Sequence, residues 1–108
     1  MDHKLKLMVV DDSPLFRTWL IRSLSADDRF QIVGYAVNAL DAKEKIPLLQ
    51  PDMLTLDIEM PGMSGIDFLK QLLPVHPIPV ILVSSLNLRV FDALEAGAVD
   101  FVDRKSVV

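Results

Sequence analysis

The chain has 108 residues, a formal net charge of -4 and no cysteine. That length holds one small domain; the missing thiols exclude disulfides and thiolate metal sites, and the acidic balance without a basic stripe argues against direct nucleic-acid binding. No stretch approaches the roughly 20 apolar residues of a membrane span, and Met1-Asp2-His3-Lys4 lacks the layout of a signal peptide, so no membrane association and a cytoplasmic location are expected.

The elements alternate along the chain. Leu5 to Val10 is an apolar run that predicts a buried strand, closed by Asp11 and Asp12. Ser13-Pro14 supplies an N-cap followed by proline at the first helical position. Leu15, Phe16, Trp19, Leu20 and Leu24 then recur at helical spacing, and Trp19 is expected to pack rather than to bind. Phe30 to Tyr35 is a more mixed strand. Asn38 caps a second helix with Asp41 in its first turn, where negative charge is favoured; Pro47 predicts an early end or a kink.

Met53 to Leu56 is a third strand, closed by Asp57. A loop follows at Met60-Pro61-Gly62-Met63-Ser64-Gly65, and Ser64 and Asp67 open a helix running to about Leu73. Pro74, Pro77 and Pro79 punctuate the next connection. Val80 to Val83 is a β-branched strand ending in Ser84-Ser85. Asn87 caps a short helix that Gly97 stops, and Ala98 to Val102 is the last strand. His3 and His76 have no second ligand at metal spacing and read as surface residues.

Strands separated by helical crossovers are parallel and joined right-handedly. The fold class is therefore α/β, and the common order for a flavodoxin-like, doubly wound sheet of five parallel strands, 2-1-3-4-5, is the one expected. That order makes the first and third strands neighbours and brings Asp11, Asp12 and Asp57 together at the switch point. Ser84, Arg104 and Lys105 fall at the same edge of the sheet. Three adjoining carboxylates repel one another, and a hard divalent cation removes the conflict. Oxygen-only ligands suit Mg²⁺, with Mn²⁺ as a fitting substitute. With the metal held mainly by Asp12, Asp57 can use an oxygen for in-line attack on a phosphoryl group, and a basic side chain and Ser84 can meet the transferred charge.

Asp11-Asp12-Ser13, Leu56-Asp57-Ile58-Glu59-Met60-Pro61-Gly62-Met63-Ser64-Gly65, Ser84, Ala96-Gly97-Ala98 and Phe101 follow one another in an order that resembles a known family. This is the receiver domain of bacterial two-component response regulators, matched from about Lys6 to Lys105. The resemblance implies Asp57 as phosphoacceptor, Asp11 and Asp12 as organisers of Mg²⁺ and the Glu59 backbone carbonyl as a further metal ligand. It implies Ser84 as the hydroxyl that follows the phosphoryl group and Phe101 as an aromatic switch, although Phe101 on a strand also fits a fixed core position. It further implies a histidine kinase as phosphoryl donor, and an output domain or partner protein at the face of the fourth helix and fifth strand.

Leu54-Thr55-Leu56-Asp57-Ile58-Glu59-Met60-Pro61, Val83-Ser84-Ser85-Leu86 and Val99-Asp100-Phe101-Val102 are similar, more narrowly, to the receiver of chemotaxis protein-glutamate methylesterases. On that reading residues 1–108 are a phosphoacceptor domain, truncated before its fifth helix, whose only chemistry is its own phosphorylation and dephosphorylation. A methylesterase domain would lie outside the chain.

Two departures from the family pattern stand out. The usual lysine is replaced by Arg104, so either Arg104 or Lys105 fills that role, and the two cations are not equivalent. The segment between Ser84 and Gly97 is short for the family. Two other functions compete: a Mg²⁺-dependent phosphohydrolase working through an aspartyl-phosphate, with Glu59 as a weak candidate acid, and a receiver that is never phosphorylated and only docks.

Overall fold

The computed structural model describes residues 4–84 and 94–103, with side chains described as far as residue 100. Among the described residues the elements follow in the order β1 (Leu5–Val10), α1 (Pro14–Ser25), β2 (Phe30–Ala36), α2 (Ala39–Leu49), β3 (Met53–Asp57), α3 (Gly65–Leu72), β4 (Val80–Ser84) and β5 (Asp100–Asp103). The strands form one sheet in the order β2-β1-β3-β4-β5, and every neighbouring pair is parallel. The expected topology is therefore the observed one.

Alternation along the strands divides the interior into two layers. Met8 and Val10 of β1, Leu54 and Leu56 of β3, and Val80 and Leu82 of β4 share one cluster with Ala42 and Ile46 of α2 and Phe68 and Leu69 of α3. The crossover rule puts α1 on the opposite face, because the chain reverses direction across the sheet after β2. Leu7 and Val9, pointing that way, are also buried.

Each helix starts where its capping residue is. The side chains of Ser13, Asn38 and Ser64 accept hydrogen bonds from the backbone amides of Phe16, Asp41 and Asp67. Such a bond satisfies one of the amides that a helix start leaves unpaired.

Two expectations need correction. Pro47 neither ends nor divides α2, which runs on to Leu49. Proline denies a hydrogen bond to the carbonyl four residues back, here that of Lys43, an exposed residue. The helix ends two residues after Pro47, and its C-cap Gln50 has a left-handed φ of 48° and donates its backbone N–H to the Ile46 carbonyl. The apolar stripe of α1 is covered less than its spacing suggests: Phe16, Leu20 and Leu24 are half-buried and none of the helix's residues is fully buried. Leu15 is 85% exposed and Trp19 42%, and Trp19 stacks on Phe16 with ring centroids 5.7 Å apart. Among the described residues α1 is the only helix on its side of the sheet, so its stripe is covered from one direction only.

The strand bounds shift slightly. β3 and β4 extend to include Asp57 and Ser84, and β5 begins at Asp100 rather than Ala98. Gly97, expected to stop the short helix, has a left-handed φ of 104° two residues after the last helical residue, Glu95. The expected cap at Asn87 and the segment around it lie outside the described residues, as do His3, Arg104 and Lys105. The expectation of a missing fifth helix likewise concerns chain beyond them.

Candidate functional site

The carboxyl ends of β1 and β3 lie side by side, with Val10 paired to Leu56. One carboxylate oxygen from each of Asp11, Asp12 and Asp57 lies within 4.8 Å of the other two. Asp11 and Asp57 are each 1% exposed, whereas Asp12 faces solvent. Two acids thus form the floor of the pocket and one its rim.

The two buried carboxylates are aimed by the same local device. The Ser13 amide donates to Asp11 Oδ1 at 2.8 Å, and the Glu59 amide donates to Asp57 Oδ1 at 3.1 Å. An aspartate that accepts from the amide two residues on forms an Asx-turn. The strand-end aspartates therefore begin the turns that leave the strands, and those turns hold their carboxylates in place.

The loop after β3 is tied down at its backbone. The Ile58 amide donates to the Val83 carbonyl, and the Gly65 amide donates to the Ile58 carbonyl. Gly65 starts α3 so close to the strand end that an added Cβ would overlap the Asp57 carbonyl oxygen. The close approach of these two backbones is what requires glycine there.

Ser84 closes the far side. It is fully buried, and its hydroxyl donates to Glu59 Oε2 at 2.6 Å. The Glu59 side chain accepts the hydroxyl at the end of β4. Nothing in local spacing reports this contact, since the partners are 25 residues apart.

Sequence reasoning also missed Arg17. Its guanidinium donates to the Asp11 backbone carbonyl at 2.9 Å and sits 4.4 Å from the centroid of the Tyr35 ring. Lys45 Nζ lies 5.1 Å from the same ring and donates to the Tyr35 carbonyl. Arg17 thereby braces the turn carrying Asp11 against β2. Its place one helical turn after the Ser13 cap was the available signal. Phe101 lies on β5, its backbone paired with Leu82; its side chain is outside the described residues.

An all-oxygen set of three carboxylates, two of them buried, fits a hard divalent cation such as Mg²⁺ or Mn²⁺. Carboxylates brought this close are otherwise in mutual repulsion.

Comparison with known proteins agrees with this geometry. The family model described as "Response regulator receiver domain" matches residues 7–107. The chain belongs to that family. Among curated proteins, this receiver domain is 50% identical over 100 residues to a protein-glutamate methylesterase/protein-glutamine glutaminase of Syntrophomonas wolfei, covering 93% of this chain and 29% of that protein. The chain thus spans about three-tenths of the length of the curated relatives it matches. Among solved structures, the response regulator domain of Thermotoga maritima CheB superposes with a TM-score of 0.87 at 38% identity, covering 94% of this chain and 79% of that one. A chain of the CheX–CheY–BeF3–Mg²⁺ complex from Borrelia burgdorferi superposes with a TM-score of 0.80 at 30% identity, covering 93% of this chain and 78% of that one. The narrower resemblance to methylesterase receivers is therefore shown as well.

Proposed function

We propose that this receiver domain is a phosphoacceptor switch in which Asp57 takes a phosphoryl group from a phosphohistidine of a partner kinase. The observation that carries this reading is the meeting of Asp11, Asp12 and Asp57 at the ends of two adjacent strands. In an open α/β sheet that crevice is where ligands bind.

The divalent cation held by Asp11, Asp12 and Asp57, with the Glu59 carbonyl, would supply charge neutralisation for the incoming phosphoryl group. Asp57 attacks phosphorus with a carboxylate oxygen, a P–O bond forms, and the bond from phosphorus to the donor breaks. The reaction demands mainly positioning and charge stabilisation. The Asx-turn at Asp57 supports the first, since it fixes the attacking carboxylate before a donor arrives. Ser84 is the hydroxyl that then turns to the phosphoryl oxygens, Phe101 follows it, and Arg104 or Lys105 supplies the cationic side chain.

The new charge shifts the population of the face formed by the fourth helix and fifth strand. The methylesterase relatives support an output in chemotaxis, carried by a catalytic domain outside this chain in a cytoplasmic protein. The chain itself turns over no external substrate.

Incubation with a small acyl phosphate, followed by intact-mass measurement, tests this reading. The parent chain gains one phosphoryl group with Mg²⁺ and none with chelator, and Asp57→Asn gains none. A folded parent chain that stays unmodified with Mg²⁺ would support the docking-only alternative.

A further inference from the structure

The Ser84–Glu59 contact supports one step beyond this reading, and rests on it. An ionised carboxylate only accepts hydrogen bonds, so in this pair Ser84 is the donor. Its single O–H proton is directed to Glu59 Oε2 at 2.6 Å, within the range of short, charge-assisted O–H···O⁻ bonds. Ser84 is fully buried, so water does not readily replace Glu59 as the acceptor of its proton. A hydroxyl with one proton cannot donate to Glu59 and to a phosphoryl oxygen on Asp57 at once. Glu59 also holds Asp57 Oδ1 through its own amide. One residue therefore orients the acceptor with its backbone and occupies the responding hydroxyl with its side chain.

We propose that Glu59 is a positioning residue that latches Ser84 in the resting state. Phosphorylation must break the latch, so Glu59 sets how readily the domain enters its active arrangement. The side chain touches neither the transferred group nor the donor; it acts by competing for the Ser84 proton.

Two measurements on the 108-residue chain test the latch, using Glu59→Ala, Glu59→Gln, Ser84→Ala and the double variants. The first is unfolding by urea without metal. The latch predicts that the Glu59→Ala and Ser84→Ala effects are not additive, because either change alone removes the same bond. Gln keeps an acceptor oxygen at that position but not the charge, so Glu59→Gln retains about half of the coupling. The second is titration with beryllofluoride in Mg²⁺, a stand-in for the phosphoryl group. Glu59→Ala tightens beryllofluoride binding by about threefold to tenfold with Ser84 present and by less than about twofold in the Ser84→Ala background, in line with a single hydrogen bond of about 1 kcal/mol.

Additive stability effects overturn the latch. So does an equal change in beryllofluoride affinity in both backgrounds, which would trace the effect to lost negative charge. A parent chain that fails to bind beryllofluoride would count against the phosphoacceptor reading, while the metal-free coupling would still decide whether the latch exists.

Discussion

At the residue scale, individual acids take their roles from the amides around them. Asp41 shows this away from the pocket. Its Oδ2 accepts from the Val37 amide at 3.0 Å and from Lys45 Nζ at 3.2 Å. These contacts, the Val37 amide first, hold its carboxyl below the ordinary 3.8. A folded-state value lower than the unfolded one stabilises the fold above the unfolded value, and that stabilisation is lost as pH falls through the folded one. Asp41→Ala should therefore lower stability by about 1 kcal/mol at pH 7, the usual scale for such a contact at a helix start, with a smaller loss at pH 3. Urea unfolding at both values checks it; an equal loss at both would show that ionisation of Asp41 is not the source. The Asp27 carboxyl is held lower still, at about 2, by its hydrogen bonds to Arg29, but an exposed pair of this kind adds little to stability. Residues whose roles are local were legible in the sequence, including the caps at Ser13, Asn38 and Ser64 and the strand-end position of Asp57. Glu59 and Arg17 were not, because their partners are chosen by the packing of strands and not by neighbouring residues.

At the element scale, the junction between β3 and α3 connects fold to site. Gly65 must begin its helix against the Asp57 carbonyl, so Gly65→Ala should push the strand end and helix apart. The obstacle is backbone and cannot swing aside, which predicts a loss of about 2–3 kcal/mol. Mg²⁺ affinity should weaken as well, because Asp57 moves with the strand. Unfolding with and without Mg²⁺ reads both, and a variant as stable as the parent would show that the junction has slack. Helix starts were legible because caps and proline act locally. The run of α2 through Pro47 was not, since it depends on how the Lys43 carbonyl that loses its partner is accommodated, which local spacing does not report. Nor was the exposure of α1, because spacing reports that a stripe exists and not whether a second layer covers it.

At the scale of the whole molecule, parallel pairing and right-handed crossovers pointed to a doubly wound sheet, and the common order for five strands produced the candidate site. Residues 10 and 57 are distant in sequence, yet the β2-β1-β3 arrangement puts the two strand ends next to each other. The topology could assemble the three acids but could not supply the distance between them, which depends on the turns at Ser13 and Glu59. The measurement that tests the central claim most directly is to locate the modified residue. After incubation with acyl phosphate and Mg²⁺, borohydride reduction converts an aspartyl-phosphate to homoserine, and tandem mass spectrometry of the digest reads its position. The account predicts homoserine at residue 57, dependent on both donor and metal. Homoserine at residue 11 or 12, or none in a chain that has gained a phosphoryl group, would contradict it.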